Sequence, residues 1–369
     1  MRRRCVLYLS IASVALLAGS VPLAAGTVGY SVIPIPYVPY VVNNAGQVAT
    51  CGNTGCYFLN GIGGQWSAMS GVGDYGDSPF FSINNSGVVT GQDGRGVAAI
   101  WSDPASAGPV EITPPPTEAA YWAEASVNDA GHLLLIGNGY GGSDYTAANG
   151  TSPSASTSAI PSGNGDWNDQ NTFATSAGVY SNNHWTYGLG LWNPVSGMDL
   201  VETSVRPSQS GIAINNSDQA AFQDGSASGF AGQAGIPYFW NGTSLESIGL
   251  PGGCQHAGIT GLDDNGAVLA WCANSLVSGD DFIWQNGTST SLNTLVPAGW
   301  NIGDLYSMSS SGIIGAAANY NHQGSEYVLL VPNGLSESET PEPFSWVLVI
   351  PVAVAIAWLG RKPHSSRSA

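Results

Sequence analysis

An all-β fold, a β-propeller of seven four-stranded blades, is what this sequence predicts, and three observations predict it. A turn motif recurs seven times, at intervals of 41, 44, 40, 47, 48 and 46 residues. Apolar runs of strand length, broken by turns rich in Asn, Asp, Gly and Pro, fill the chain between the motifs. Charged residues make up only 9% of the chain while 50 of its 369 residues are Gly, a composition for short strands and turns.

The elements follow in chain order. Residues 1–25 read as a signal peptide. Arg2, Arg3 and Arg4 form a positive start, residues 6–17 an apolar stretch, and Leu23-Ala24-Ala25 a small-residue cleavage site. The repeat domain is placed at 27–334. Its first apolar run, Tyr30-Ser31-Val32-Ile33-Pro34-Ile35, stands before any motif, whereas the last repeat lacks a fourth strand. The run is therefore expected to complete the last blade and close the ring, with Pro34 on an outer edge that needs no ladder donor.

The motifs themselves are Val42-Asn43-Asn44-Ala45-Gly46, Ile83-Asn84-Asn85-Ser86-Gly87, Val127-Asn128-Asp129-Ala130-Gly131 and Trp167-Asn168-Asp169-Gln170-Asn171. Ile214-Asn215-Asn216-Ser217-Asp218, Leu262-Asp263-Asp264-Asn265-Gly266 and Met308-Ser309-Ser310-Ser311-Gly312 complete the set. Asn, Asp and Gly accept the left-handed backbone that such turns require. Residues 235–271 show the unit most fully: an aromatic run (Tyr238, Phe239, Trp240), an Asn241-Gly242 turn, a second run ending in Pro251-Gly252-Gly253, a third run to Leu262, and a fourth to Trp271. Together they read as four antiparallel strands. The aromatic third strand recurs at Tyr57-Phe58-Leu59, Ala99-Ile100-Trp101, Leu189 to Trp192, Phe282-Ile283-Trp284 and Tyr327-Val328-Leu329. The third repeat is degenerate: Tyr145, Asn149-Gly150-Thr151 and Ile160-Pro161 keep the order of the unit within a Gly/Ser/Thr-rich stretch.

After the repeats the composition changes. Residues 335–343 form an acidic stalk ending in Pro341-Glu342-Pro343. Residues 344–360 carry no charge and read as a transmembrane helix, and residues 361–369 form a basic tail beginning Arg361-Lys362. Positive charge stays cytoplasmic, which places the repeat domain outside.

Cys5 leaves with the signal peptide. The remaining cysteines form two local pairs, Cys51/Cys56 and Cys254/Cys272, expected as disulfides; zinc is the rival reading, served poorly by this spacing. Acidic residues outnumber basic ones 25 to 8, and between residues 27 and 340 Arg95 and Arg206 are the only Lys or Arg. Such a chain repels phosphate backbones, which excludes nucleic acid as a partner.

No catalytic residue can be named. His132, His184, His256 and His322 are scattered, without a metalloprotease, nucleophile-elbow or phosphate-loop motif. No cofactor is expected. Calcium is hinted at by residues 166–171 and 263–266, but neither is a complete loop, and turn chemistry already explains their Asn and Asp. Loop aromatics Tyr121, Trp122 and Trp300 would suit sugar stacking or simply pack between blades.

Residues 238–271 and the turn at 83–91 resemble the HAF repeats of extracellular bacterial proteins, although the His-Ala-Phe itself is absent and Ile236-Pro237-Tyr238-Phe239 and Asp280-Asp281-Phe282 occupy its place. The resemblance implies a propeller-like repeat domain outside the cytoplasm. The order Pro341-Glu342-Pro343, apolar span, Arg361-Lys362 is similar to the PEP-CTERM sorting signal of Gram-negative bacteria. That resemblance implies processing by an exosortase, passage through the inner membrane, and a final place in the envelope or an exopolysaccharide matrix. The expected function is a non-catalytic propeller that binds a polysaccharide or protein partner. An extracytoplasmic propeller enzyme acting on glycans is the alternative, which paired carboxylates at the ring's centre would favour. A permanently anchored inner-membrane protein is the third reading.

Overall fold

The computed structural model describes residues 29–52, 55–72, 82–93, 97–112, 122–137, 140–146, 154–160, 165–181, 183–193, 195–225, 234–273 and 281–335. Among them, strands gather into seven antiparallel sheets of four. The first strand, β1 (Tyr30–Ile35), stands apart from the rest in sequence. Sheet 1 holds β2 (Val41–Val42), β3 (Val48–Gly52), β4 (Gly55–Leu59) and β5 (Trp66–Ala68). Sheet 2 holds β6 (Ser82–Ile83), β7 (Val89–Gln92), β8 (Ala98–Trp101) and β9 (Val110–Glu111). Sheet 3 holds β10 (Trp122–Val127), β11 (His132–Gly137), β12 (Tyr140–Thr146) and β13 (Ser154–Ile160). Sheet 4 holds β14 (Gly165–Trp167), β15 (Phe173–Ser181), β16 (His184–Asn193) and β17 (Gly197–Glu202). Sheet 5 holds β18 (Pro207–Ile214), β19 (Ala220–Asp224), β20 (Pro237–Trp240) and β21 (Leu245–Ser247). Sheet 6 holds β22 (His256–Leu262), β23 (Val268–Ala273), β24 (Phe282–Gln285) and β25 (Thr288–Ser291). Sheet 7 holds β26 (Trp300–Met308), β27 (Ile314–Tyr320) and β28 (Ser325–Pro332), and β1 completes it.

That last pairing is the expected closure. β1 lies antiparallel to β28 from Tyr30↔Pro332 to Ile35↔Tyr327, at the sheet's outer edge, so Pro34 removes no ladder hydrogen bond. The recurring sequence unit and the sheets are out of phase, however. Residues 235–271 supply β20 and β21 to sheet 5 and β22 and β23 to sheet 6, so the four runs do not form one sheet. The aromatic strand and the motif-bearing hairpin are neighbours in sequence and face each other across two sheets.

The motif turns explain why those residues stand there. In every repeat the fifth motif residue donates its N–H to the carbonyl of the second, as Gly46 does to Asn43 and Gly312 to Ser309 at 3.0 and 2.9 Å. That fifth residue has positive φ throughout: Gly46, Gly87, Gly131, Gly266 and Gly312, with Asn171 and Asp218 in the other two. This is the turn-plus-bulge hairpin in which Gly or Asx avoids the Cβ penalty.

The core lies in layers between sheets. Phe58 and Trp101 sit between sheets 1 and 2, Phe222 and Trp240 in the layer of sheets 4 and 5, and Phe282 and Trp284 in that of sheets 5 and 6. Leu329 and Val331 pack with Val48 and Leu59 where sheet 7 meets sheet 1. The aromatic third strand is thus a wedge: Trp101 is fully buried and its indole N–H reaches the Ser70 carbonyl at 3.0 Å. Both cysteine pairs are disulfides, Cys51–Cys56 across the β3–β4 hairpin and Cys254–Cys272 beside β22 and β23.

Sheet 3 keeps the strand order foreseen for the degenerate repeat, with Tyr145 in β12 and Ile160 in β13; Asn149-Gly150-Thr151 and Pro161 lie outside the described residues. Sheet 4 has an excess. β14 pairs with β15 only as far as Thr175, and β17 with β16 only as far as Leu189, yet β15 and β16 go on pairing to Ser181↔His184. Their outer half is a two-stranded ribbon.

Candidate functional site

The turns between the first and second strands of all seven sheets converge on one face and line a central cavity of about 340 Å³. Its wall contains Asn43, Asn84, Asn128, Asn168 and Asn215, and its rim Asn44, Asn85, Asp129, Asp169, Asn216 and Asp264, with Ser310 closing the circle.

Two belts of hydrogen bonds run round this mouth. In the inner belt, which spans the first five motifs, the amide of the first Asn donates to the backbone carbonyl at the same position of the next repeat. Asn43 donates to Asn84, Asn84 to Asn128, Asn128 to Asn168, Asn168 to Asn215 and Asn215 to Asp263, at 2.8 to 3.1 Å. The same side chain's oxygen caps its own turn: Asn168 Oδ1 accepts from the N–H groups of Gln170 and Thr172 at 3.0 and 2.9 Å. One buried amide therefore holds a turn and joins two sheets.

In the outer belt the second Asx of each motif accepts from the backbone N–H at the same position of the preceding repeat. Asn85 accepts from Asn44, Asp129 from Asn85, Asp169 from Asp129, Asn216 from Asp169 and Asp264 from Asn216. The pattern changes at the seventh repeat, where the Asp264 N–H donates to the Ser310 carbonyl at 2.8 Å. Asn44 then closes the ring, accepting from the Ser311 N–H at 2.7 Å and donating to Ser310 Oγ at 2.9 Å. Sequence reasoning found the turns and missed these belts. The signal was there: a hairpin needs Asx at the motif's second position and a left-handed fifth, but has no use for Asx at the third.

Carboxylates collect on one arc, at Asp129, Asp166, Asp169 and Asp264. Burial pushes the Asp166 carboxyl up to about 6, against the N–H groups of Ile214 and Trp167, which favour its charged form, and with Asp169 adding to the rise. Its oxygens accept from those two N–H groups at 3.1 and 2.9 Å, tying β14 to β18. Burial also raises Asp129, opposed by the Asn85 N–H and reinforced by Asp169. Asp169 spends its two oxygens on the Asp129 N–H and the Asn216 amide, at 2.6 and 2.7 Å.

The other residues singled out from the sequence are not brought together here. His132 and His256 begin strands β11 and β22, His184 starts β16 at the ribbon's end, and His322 lies in the β27–β28 turn. Among the described residues no three His, Cys, Asp or Glu side chains are grouped as a metal would require. Residues 166–171 and 263–266 do the belt and turn work just described. Trp300 is half-buried and packs on Tyr320 at 5.1 Å; Trp122 begins β10, and Tyr121 lies outside the described residues. Pro341, Glu342, Pro343, Arg361 and Lys362 also lie outside them, as do residues 1–28, and among the described residues no helix is long and apolar enough to cross a membrane.

Four-stranded antiparallel sheets set round a central cavity, with their first strands innermost, define the β-propeller class. No family model and no curated protein matches the sequence. Solved structures match the fold. A YCF48 structure with a bound D1 peptide is 13% identical at a TM-score of 0.51, covering 84% of this chain and 96% of that one. The β-propeller domain of the Trilobed protease from Pyrococcus furiosus is 11% identical at 0.51, covering 83% and 96%. A chain of the mitotic checkpoint complex is 15% identical at 0.52, covering 90% and 100%. At these identities the likeness is one of fold.

Proposed function

We propose that this chain is an exported seven-bladed propeller of a Gram-negative envelope, which binds a polysaccharide or protein partner without catalysis. The observation that carries the non-catalytic reading is the commitment of the polar side chains at the mouth. Those that a propeller enzyme would aim at a substrate are spent on neighbouring sheets. Seven four-stranded sheets and an unbroken circuit of hydrogen bonds support the blade count. The two disulfides support an oxidising compartment, in keeping with the signal-peptide features of residues 1–25. The tail of residues 341–362, similar to a PEP-CTERM signal, supplies the route: insertion by the apolar span, orientation by Arg361-Lys362, and exosortase processing at the extended Pro-Glu-Pro segment. Mass spectrometry of the host's envelope protein is expected to find a mature C-terminus near Pro343. Recovery of mature protein that retains Arg361 and Lys362 would sink the sorting route and leave a plain membrane anchor.

One observation favours the enzyme reading. Asp166, raised to about 6, stands near Asp169, as two carboxyl groups stand together in glycan hydrolysis. Under that reading Asp166→Asn abolishes turnover of a glycan substrate at unchanged stability. Under the binding reading it alters stability and has no turnover to abolish.

A further inference from the structure

The ribbon of sheet 4 leaves the ring on the face opposite the cavity mouth, because the hairpin between second and third strands turns at the other end of the sheet from the motif turns. Five cross-strand pairs, Ala177↔Gly188 to Ser181↔His184, continue beyond the last three-strand contact, a reach of roughly 17 Å at the usual rise per residue. This arm carries the chain's densest group of exposed aromatics among the described residues. Tyr180 is 57% exposed and Trp185 51%, and Tyr187 is exposed beside them.

Their arrangement is built. Tyr180 and Trp185 are direct cross-strand partners with ring centroids 5.2 Å apart, and Trp185 and Tyr187 lie two residues apart on the same face, near-parallel at 5.8 Å. Tyr187 has no side chain opposite it, because its partner is Gly178. A Cβ there would meet the Tyr187 ring at 2.8 Å and the Trp185 ring at 3.3 Å, so the glycine is the floor over which both rings lean. At the inner end the guanidinium of Arg206 sits 4.4 Å from the Tyr187 centroid, and no acidic side chain among the described residues forms an ion pair with it. On a chain of net charge −17, one of two Arg side chains in the repeat domain thus stands exposed at the end of an aromatic row, with no acidic partner among the described residues.

We infer that this row is a docking platform for a uronic-acid-bearing polysaccharide. The C–H faces of pyranose rings stack on exposed aromatic rings, as other flat ligands do. The edge of a stacked guanidinium offers the paired donors that a sugar carboxylate accepts. Charge decides between occupants. A neutral glycan would leave Arg206 unused, and nucleic acid would meet the full repulsion of an acidic body at every phosphate. The inference rests on the export reading only for the encounter with glycan; binding in vitro does not depend on it. The acidic body opposes long polyanions, so a short uronate oligomer is the fitting probe.

The experiment is calorimetric titration of the full chain with tetragalacturonate and, in parallel, with cellotetraose as its neutral counterpart. Saturable binding of the uronate oligomer is expected, with weaker binding of the neutral one. Trp185→Ala is expected to weaken the uronate affinity by about tenfold, the scale of one lost stacking contact, and Tyr180→Ala serves as a second variant should the first misfold. Arg206→Gln should bring the uronate affinity down to the neutral level. Absence of saturable binding overturns the proposal, as does binding untouched by Trp185→Ala, or equal affinity for the two oligomers. A dimer that Trp185→Ala converts to monomer, with no oligomer bound, would assign the platform to a second copy of the chain and overturn it equally.

Discussion

The two faces of the ring use their side chains in opposite ways. At the cavity mouth Asn43, Asn84, Asn128, Asn168 and Asn215 are buried and each spends its amide on the next sheet. On the ribbon Tyr180, Trp185 and Tyr187 pack on one another, with Arg206 against Tyr187, and stay exposed. Burial with satisfied hydrogen bonds marks a part of the fold; exposed aromatics held in place mark a surface kept for something else. The mouth's buried amides therefore hold neighbouring sheets together, while the ribbon's aromatics are left at the surface. Substitutions should separate them: mouth variants lose stability, ribbon variants lose binding.

The largest effect belongs to ring closure. Deleting residues 29–37 removes β1, exposes the whole edge of β28, and strips Tyr30 and Ile35 from two buried clusters. The deletion variant is expected to aggregate or to unfold far below the wild-type midpoint in circular dichroism. An unchanged midpoint would mean that the belts alone hold the ring.

Next comes a single belt amide. Asn168 makes four hydrogen bonds to other groups, donating to the Asn215 carbonyl and Asp218 Oδ1 and accepting from Gln170 and Thr172. Asn168→Ala leaves those partners unpaired in a buried setting and should cost about 2–4 kcal/mol in denaturant unfolding. Asn168→Asp keeps the turn cap but loses both donors, so it should fall between Ala and wild type. Should Asp be as stable as Asn, the link between sheets contributes nothing and the mouth is only a set of turns.

These residues also show how much could be read in advance. The period, the turns and the closing strand were legible because each has a local cause: left-handed φ at Gly46 or Asn171, a spare apolar run at residues 30–35, strand-length spacing between breaks. The half-unit offset was hidden because period alone does not say which four strands share a sheet. The belts were hidden because Asn43 and Asn84 are 41 residues apart, and pattern within one repeat is silent about contacts between repeats. The ribbon escaped for the opposite reason. Trp185 and Tyr187 sit on the third strand, where aromatic residues are expected, with Tyr180 opposite them on the second, and only the early end of β14 and β17 leaves them outside the sheet.

Acid dependence sharpens the same contrast with a smaller effect. Burial raises Asp166 from its usual range to about 6, and Asp129 and Asp263 move in the same direction. The folded state then holds these protons more tightly than the unfolded chain. The stability contributed by protonated Asp166 is complete below about pH 4 and is lost as pH rises through 6, a change of roughly 1–3 kcal/mol. The protein is expected to melt higher at pH 5 than at pH 7. Asp166→Asn, which carries no charge at either pH, should flatten that slope. A slope identical to wild type would show that Asp166 titrates normally and that general self-repulsion of an acidic chain accounts for the trend.

The smallest expected effect is the one that most cleanly tests the division of labour. Trp101 and Trp185 are both third-strand tryptophans. The first is fully buried between sheets 1 and 2, and its truncation to Ala should cost about 3–5 kcal/mol. The second touches Tyr180 and Tyr187 on a ribbon with no third strand, so Trp185→Ala gives up an exposed stack and little buried area. Its unfolding free energy should stay within about 1 kcal/mol of wild type, the scale of one exposed aromatic contact. Denaturant titrations of the two variants side by side make the comparison direct. A loss at Trp185 approaching that at Trp101 would place the ribbon within the cooperative fold. A near-zero loss, together with weakened uronate binding, would mean that the aromatics of sheet 4 are held there for a ligand and not for the ring.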